Sequence, residues 1–335
     1  MKLIKSLTKS SWLILIGALF LAQDISAQTS YGEDRAGTEG FQFAKISIDA
    51  RSAAMGNSNM ADAIDGSSLY WNPANASVLG SSNVMVNHTQ YVADINLEYL
   101  SYIHKFGKFA VGGSIQYLNS GEIMETTETQ PLGTGLSFST HHVSAGLTGS
   151  HQITELFSYG ITFRYLAEKY IDVSYQTGAI DFGFLYYVGD TGLRFGVSLN
   201  NFGLEAAPSG TVERTLTGGE VVQEEPESNL SLPTRFNIAA AYDIIDTENH
   251  ALLFTAQITN PSDNSEQLNI GGEYGFMDQF FVRTGYEFGV EEREWPSFGA
   301  GVKVPFAGKS LKADYGYTVF ERLGGIHRIG LSVAL

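Results

Sequence analysis

The residue types best spaced for chemistry in this chain are His142 and Ser144, in the run His142-Val143-Ser144-Ala145-Gly146. On an extended strand that spacing puts both side chains on one face. An imidazole so placed could take a serine proton and create a nucleophile. The chemistry also needs a third group to orient the histidine, and no sequence pattern supplies one. His88, His104, His141, His151, His250 and His327 are scattered without metal-ligand spacing. There is no glycine-rich phosphate loop, no His-Glu-x-x-His helix and no Gly-x-Ser-x-Gly elbow. With no cysteine at all, disulfides, cysteine zinc sites and a lipid-anchored cysteine are excluded. The expectation is a protein that is not an enzyme, with no metal and no cofactor.

The element that carries His142 and Ser144 is one of many alike. Phe109, Val111, Gly113, Ile115 and Tyr117 alternate with Ala110, Gly112, Ser114 and Gln116, and Phe280, Val282, Thr284, Tyr286 and Phe288 alternate with Phe281, Arg283, Gly285 and Glu287. One face is apolar and the other small, polar or charged, which is the period of a β-strand. Strands are expected to start near residues 83, 95, 108, 137, 157, 177, 193, 234, 250, 266, 279, 297, 310 and 326, giving fourteen, an even number. Every second connection is a tight turn, as at Phe106-Gly107 and Met277-Asp278, whereas 119–136 and 204–232 are long. Alternation alone does not say whether the apolar face meets a soluble core or lipid. Three features favour lipid. Arg283, Glu287, Glu273, Lys303 and Asp314 lie inside strands on the polar face, where a wet or plugged lumen tolerates charge. Aromatics such as Tyr91, Phe106, Tyr117, Phe157, Tyr159, Phe276, Phe288 and Phe306 cluster near strand ends, as interfacial girdles do. Strands of about ten residues suit a tilted bilayer crossing, where soluble strands average about five or six. The fold class is therefore all-β, a 14-stranded antiparallel transmembrane barrel.

Composition agrees with that reading. Of 335 residues, 43% are apolar and only 17% charged, with 37 Gly, 17 Tyr and 21 Phe. Lysine and arginine number 20 against 36 acidic residues, for a net charge of −16, which argues against nucleic acid as a partner. Lys2, Lys5 and Lys9 precede an apolar run over 12–22, with Ala27 as a small residue for cleavage. The run is about half of the ~20 residues a membrane helix needs, so it reads as a removable secretory signal. The chain divides into a signal peptide over 1–27, an N-terminal segment over 28–82 and a barrel over 83–335. With a periplasmic N-terminus and fourteen crossings, the short turns and the C-terminus fall in the periplasm and the long loops outside the cell.

Residues 38–81 do not alternate. They read as loops with short helical pieces at 49–55 and 59–64. A barrel of fourteen strands is wider than its own side chains fill, since about eight strands is where they just do, so this segment is the natural plug, or hatch. The blocks Gly40-Phe41-Gln42-Phe43-Ala44-Lys45-Ile46, Asp49-Ala50-Arg51-Ser52-Ala53-Ala54-Met55-Gly56, Ala61-Asp62-Ala63 and Ser67-Ser68-Leu69-Tyr70-Trp71-Asn72-Pro73-Ala74 resemble the N-terminal signature of PorV/PorQ proteins. These belong to the FadL-like outer-membrane barrel superfamily of the Bacteroidetes. The resemblance implies a hatch motif at Arg51, Met55, Gly56, Asn72, Pro73 and Ala74. Asn72 can bond backbone two residues on, and Pro73 fixes φ and keeps its predecessor extended. It also implies a non-catalytic role in type IX secretion, with the translocon barrel and the C-terminal domains of secreted cargo as partners. The alternative is FadL-like uptake of long-chain fatty acids or other hydrophobic small molecules. The polar stretch 28–37, with Glu33, Asp34 and Arg35, makes a poor lumenal tail for such a ligand.

The long loop over 204–232 is acidic. Glu205, Glu213, Glu220, Glu224, Glu225 and Glu227 face one base, Arg214. Most such charges serve solubility, but Glu213, Glu220, Glu224, Glu225 and Glu227 together form a candidate partner-binding loop. Loops this long are often functional.

Overall fold

The computed structural model describes residues 35–335 except 128–129, 216–220, 227, 291–292 and 307. The expected signal segment and residues 28–34 lie outside the described residues, as do Glu220 and Glu227. Fourteen long strands follow the N-terminal segment: β1 (Asn83–Gln90), β2 (Asn96–Phe106), β3 (Phe109–Asn119), β4 (His141–Gln152), β5 (Phe157–Lys169), β6 (Val173–Tyr187) and β7 (Leu193–Gly203), then β8 (Arg235–Asp246), β9 (His250–Pro261), β10 (Gln267–Phe276), β11 (Phe280–Phe288), β12 (Ser297–Phe306), β13 (Lys309–Phe320) and β14 (Gly324–Ala334). Each pairs antiparallel with its neighbours in the chain. The ring closes between β1 and β14, from Asn83 opposite Ala334 to Gln90 opposite His327. Closure removes the open edge that would leave backbone groups unsatisfied in hydrocarbon.

Which face meets lipid is decided by burial. Along β5, Phe163 is 59% exposed while its neighbours Thr162 and Arg164 are 0% and 6%. The same inversion, apolar outward and polar buried, runs around the ring at Ile115, Leu147, Val282 and Ile329 against Ser114, Thr148, Arg283 and Arg328. A soluble sandwich would bury the first set and expose the second.

One end of the barrel carries only short turns and also the C-terminus, where the Leu335 amide donates to the Ser82 carbonyl at 2.8 Å. The other end, the long-loop end, carries the connections over 120–140 and 204–234. Two strand starts differ from the sequence expectation, and the backbone pairing explains both. Ser137–Phe138 pairs with Ile123–Met124 in a small separate hairpin, so β4 begins only at His141. β6 begins at Val173, four residues earlier than expected, because β5 runs on to Lys169 and pairs with Ser174, while Pro208–Gly210 folds back from the long loop and pairs with Val173 to Tyr175 on the other side. At the rims, His–Tyr pairs join the expected aromatic girdle: His250 lies 2.7 Å from Tyr274 Oη and His327 2.7 Å from Tyr315 Oη. Tyr91 departs from it. It turns into the long-loop mouth and lines a cavity there.

Candidate functional site

The N-terminal segment lies inside the ring, and almost every residue from 41 to 79 is buried. It is built of two short helices, α1 (Ala50–Ala54) and α2 (Ser68–Trp71), and tight 3-10 turns at Gln42–Lys45, Met60–Asp62 and Pro73–Ser77. Small residues and caps explain the brevity. Asp49 caps α1, its carboxylate accepting from Ser52 N at 2.8 Å and Ser52 Oγ at 2.7 Å, and it also takes Trp71 Nε1 at 2.9 Å. Burial, with the charge of nearby Asp65 adding to it, raises the Asp49 pKa against those three hydrogen bonds.

Arg51 projects from α1 into the centre of a chain of alternating charges. Its Nε and Nη2 donate to the two Glu273 oxygens, each at 2.9 Å, while Nη2 reaches Asp62 Oδ2 at 2.6 Å and Nη1 the Asp62 carbonyl at 2.7 Å. Glu273 on β10 also binds Arg283 of β11, whose Nη1 lies 2.8 Å from Asp314 Oδ1 of β13 without hydrogen-bond alignment. On the other side Asp62 binds Arg194 of β7, which continues to Asp243 of β8 at 2.6 Å. The sequence Asp314, Arg283, Glu273, Arg51, Asp62, Arg194, Asp243 thus joins one wall to the other through the segment. Desolvation opposes the charge on Arg51, but the carboxylates of Glu273 and Asp62 outweigh it and hold its pKa well above the usual value.

Met55 and Gly56 sit at the C-terminus of α1 against β10 and β11. Gly56 has φ +61°, in the left-handed region, and a Cβ there would stand 2.6 Å from Tyr286 N. Asn72 has φ −154° and ψ 107°, the extended conformation that a following proline imposes. Its Oδ1 accepts Ala74 N at 3.1 Å and its Nδ2 donates to Phe184 O at 3.0 Å, tying the turn to β6. Pro73 opens the 3-10 turn, and the Ala74 carbonyl accepts Ser150 Oγ of β4 at 3.1 Å.

Beneath the closest of these contacts the wall has a glycine. A Cβ on Gly160 or Gly183 would collide with Pro73 or Asn72, and one on Gly271 or Gly285 with Met55. One on Gly316 would stand 2.5 Å from Ala50 O. The sequence reading placed Gly285 on the polar face as merely small. The stronger signal, an inward glycine where the segment's backbone comes closest to the wall, was missed, as were Asp62, Arg194 and Asp243 as members of the charge chain.

His142 and Ser144 both face the lumen. His142 Nδ1 lies 3.6 Å from Glu168 Oε1 and its Nε2 3.3 Å from Thr140 Oγ1, while Ser144 Oγ takes a long 3.5 Å contact from Arg164 Nη1. The histidine does not engage the serine. Of the loop glutamates, Glu213 and Glu224 lie on a hairpin, Val212–Thr215 with Val221–Glu224, and Glu225 follows it; all three are exposed. Val212 stands opposite Glu224 and Glu213 opposite Gln223, so Glu213 and Glu224 occupy opposite faces of that hairpin. Among the described residues no group of three His, Cys, Asp or Glu could hold a metal.

A closed ring of fourteen antiparallel strands, apolar outside, with an N-terminal segment fixed in its lumen, defines an outer-membrane barrel of the FadL-like fold. Solved structures agree. The Ralstonia pickettii toluene transporter TbuX is 12% identical over 86% of this chain and 97% of its own, with a TM-score of 0.60. The Pseudomonas putida toluene transporter TodX is also 12% identical, over 85% and 96%, with a TM-score of 0.60. A Pseudomonas aeruginosa FadL homologue is 13% identical over 85% and 97%, with a TM-score of 0.51. At such identities the likeness is one of fold. No curated protein matches. A family profile described as type IX secretion system protein PorV matches residues 29–260, and the chain belongs to that family.

Proposed function

We propose that this barrel serves type IX secretion without catalysis, as a docking partner whose long-loop end faces outside the cell. There it meets the translocon barrel, the C-terminal domains of secreted cargo, or both. The observation that carries the reading is the division of the molecule. The lumen is crossed by a chain of ion pairs through Arg51 and Asp62, while the long-loop end extends two small hairpins, Ile123–Met124 with Ser137–Phe138 and Val212–Thr215 with Val221–Glu224. A protein built to contact other proteins needs the second and is stabilised by the first. Residues 35–82 act as a fixed hatch in this reading, with Arg51, Met55, Gly56, Asn72, Pro73 and Ala74 as its anchors. The acidic loop offers the contact, with Glu213 on one face of its hairpin, Glu224 on the other and Glu225 beyond it, and with Glu220 and Glu227 in the same stretch of sequence. Uptake of a hydrophobic molecule would need an apolar path past Asn72. At that point Asn72 and Pro73 lie directly on the glycines of β5 and β6.

The test is affinity capture of the tagged chain from native outer membranes, with and without residues 218–228. Recovery of a very large partner barrel or of cargo by the full chain, and its loss on deletion, supports docking through this loop. Capture that is unchanged by the deletion removes the loop from the proposal. A barrel that brings down no protein but carries a bound lipid in its lumen favours uptake instead.

A further inference from the structure

The long-loop mouth contains a cavity of about 690 Å³ whose wall includes Arg235, Arg293 and Arg328. All three are buried, at 8%, 8% and 4% exposure. Buried guanidiniums are ordinarily matched by carboxylates, because the cost of desolvating the charge must be offset. Arg293 has Glu287 as its partner. Arg328 has no carboxylate partner among the described residues: its Nε donates to Ser47 O and its Nη1 to Thr318 Oγ1, both at 3.3 Å. Arg235 has none either. Its Nη2 donates to Tyr70 Oη at 3.2 Å, its guanidinium lies 5.3 Å from the centre of the Tyr70 ring, and its buried Nε has no hydrogen-bond partner.

Arg293 and Arg328 stand on one wall. Arg293 Nη1 donates to Ser297 Oγ at 2.8 Å, Ser297 Oγ is 3.4 Å from Thr318 Oγ1, and Thr318 Oγ1 accepts from Arg328. Among the described residues, Glu287 is the one carboxylate on this wall; it pairs with Arg293, and Arg328 feels it and the more distant Asp49 only through space, with no ion pair of its own. Phe320 stacks under Arg293, with the guanidinium carbon 4.8 Å from the ring centre, and Trp71 and Tyr91 line the same cavity. The cavity's other carboxylates are Glu39 and Glu168. Glu168 stands on β5, five strands from Arg328 around the ring, and accepts from Tyr170 Oη at 3.1 Å.

We propose that this cavity is a binding site for a soluble organic anion, whose phosphate or carboxylate group is taken by Arg328 and Arg293 while its body lies against Trp71, Tyr91 and Phe320. Guanidinium forks match both groups, and hydrogen bonds between charged partners are the strong ones. The volume falls within the range of small-molecule pockets. The inference does not depend on the secretion role, since it rests on unmatched charge and not on the loops.

The test titrates the detergent-solubilised full chain with inorganic phosphate in one arm and benzoate in the other, at constant ionic strength, following tryptophan fluorescence. Saturable binding of either anion is the expected result, and the arm that responds names the group recognised. Arg328→Gln should weaken it about tenfold, the loss of a charged hydrogen bond. Glu287→Gln should strengthen it several-fold by removing the competing carboxylate. Because Arg328→Gln could also disturb folding, the wild-type unfolding midpoint is a second readout and should rise with anion concentration. No saturable response in either arm, or equal affinities in the wild type and Glu287→Gln, overturns the proposal.

Discussion

The two halves of the lumen use the same residue in opposite ways. Toward the short turns, the buried arginines at 51, 194 and 283 each lie between carboxylates, and the chain they form links β7 and β8 to β10, β11 and β13 through the N-terminal segment. Toward the long loops, Arg235 and Arg328 are equally buried but rest on hydroxyls, carbonyls and a tyrosine ring. The difference lies in what the segment supplies. It brings Asp62 down into the first half, and to Arg328 and Arg235 in the second it offers the Ser47 carbonyl and the Tyr70 phenol as hydrogen-bond partners. A buried arginine is thus a structural strut where the segment or the wall sets a carboxylate against it, as at Arg51, Arg194, Arg283 and Arg293, and an unmet demand at Arg235 and Arg328, where neither does.

The largest effect that could break this comparison is expected at Arg51. Arg51→Ala strips the common partner from Glu273 and Asp62, which keep only Arg283 and Arg194, and should cost about 3 kcal/mol, the low end for breaking a buried pair. Arg328→Ala leaves no carboxylate behind and should cost less than about 1 kcal/mol, or even stabilise, since an unpaired buried charge is removed. Urea unfolding in detergent micelles measures both, and equal losses would mean that the two halves are not distinct. Next come the glycines. Gly285→Val drives a side chain into Met55 and should cost about 1–3 kcal/mol. Gly149→Val, on the lipid face of β4 where a Cβ meets nothing within 4 Å, should stay within about 0.5 kcal/mol. If the two valines cost the same, the segment is not held by close contact with the wall.

The strands were readable because one physical constraint, lipid on one side and water or protein on the other, writes a two-residue period into every crossing. Arg283, Glu273 and Asp314 could be put on the lumenal face from that period alone. Their partners could not. Arg51 and Glu273 are 222 residues apart, and the pattern gives a face but not which faces meet across the barrel. Tyr91 was misread for a related reason: a residue just past a strand end is free of the alternation, and it turned inward to the mouth. The start of β6 was misplaced because one of the two partners of its first residues, Pro208–Gly210, lies in a loop with no strand-like pattern of its own, the other being the end of β5. The unmatched arginines are the hardest case. An absent carboxylate leaves no mark in a sequence whose acidic residues outnumber its basic ones.

A smaller effect separates the halves by pH. The Asp49 pKa is raised in the folded state by burial, so folding takes up a proton there. Its contribution is fully present below the unfolded value and is lost as pH rises through the folded one. Barrel stability should therefore fall between acid and neutral pH by an amount that Asp49→Asn removes, whereas Arg51, charged throughout, gives its variant no slope of its own. Unfolding midpoints for the wild type and Asp49→Asn across pH 4 to 7 would show this, and parallel curves would assign the slope to other groups.

The smallest effect is expected at the hairpin that the proposed docking uses. Val212–Thr215 and Val221–Glu224 form a two-stranded ladder of their own, apart from the barrel sheet. Nothing in that ladder carries the ring or the charge chain, so replacing residues 213–223 by two glycines should change the unfolding free energy by no more than about 0.5 kcal/mol. Partner capture should fall steeply in the same variant. A protein that lost both together would have its loop acting as part of the scaffold. Loss of capture with an unchanged midpoint would put contact and stability at opposite ends of the molecule, as the distribution of its buried charge already does.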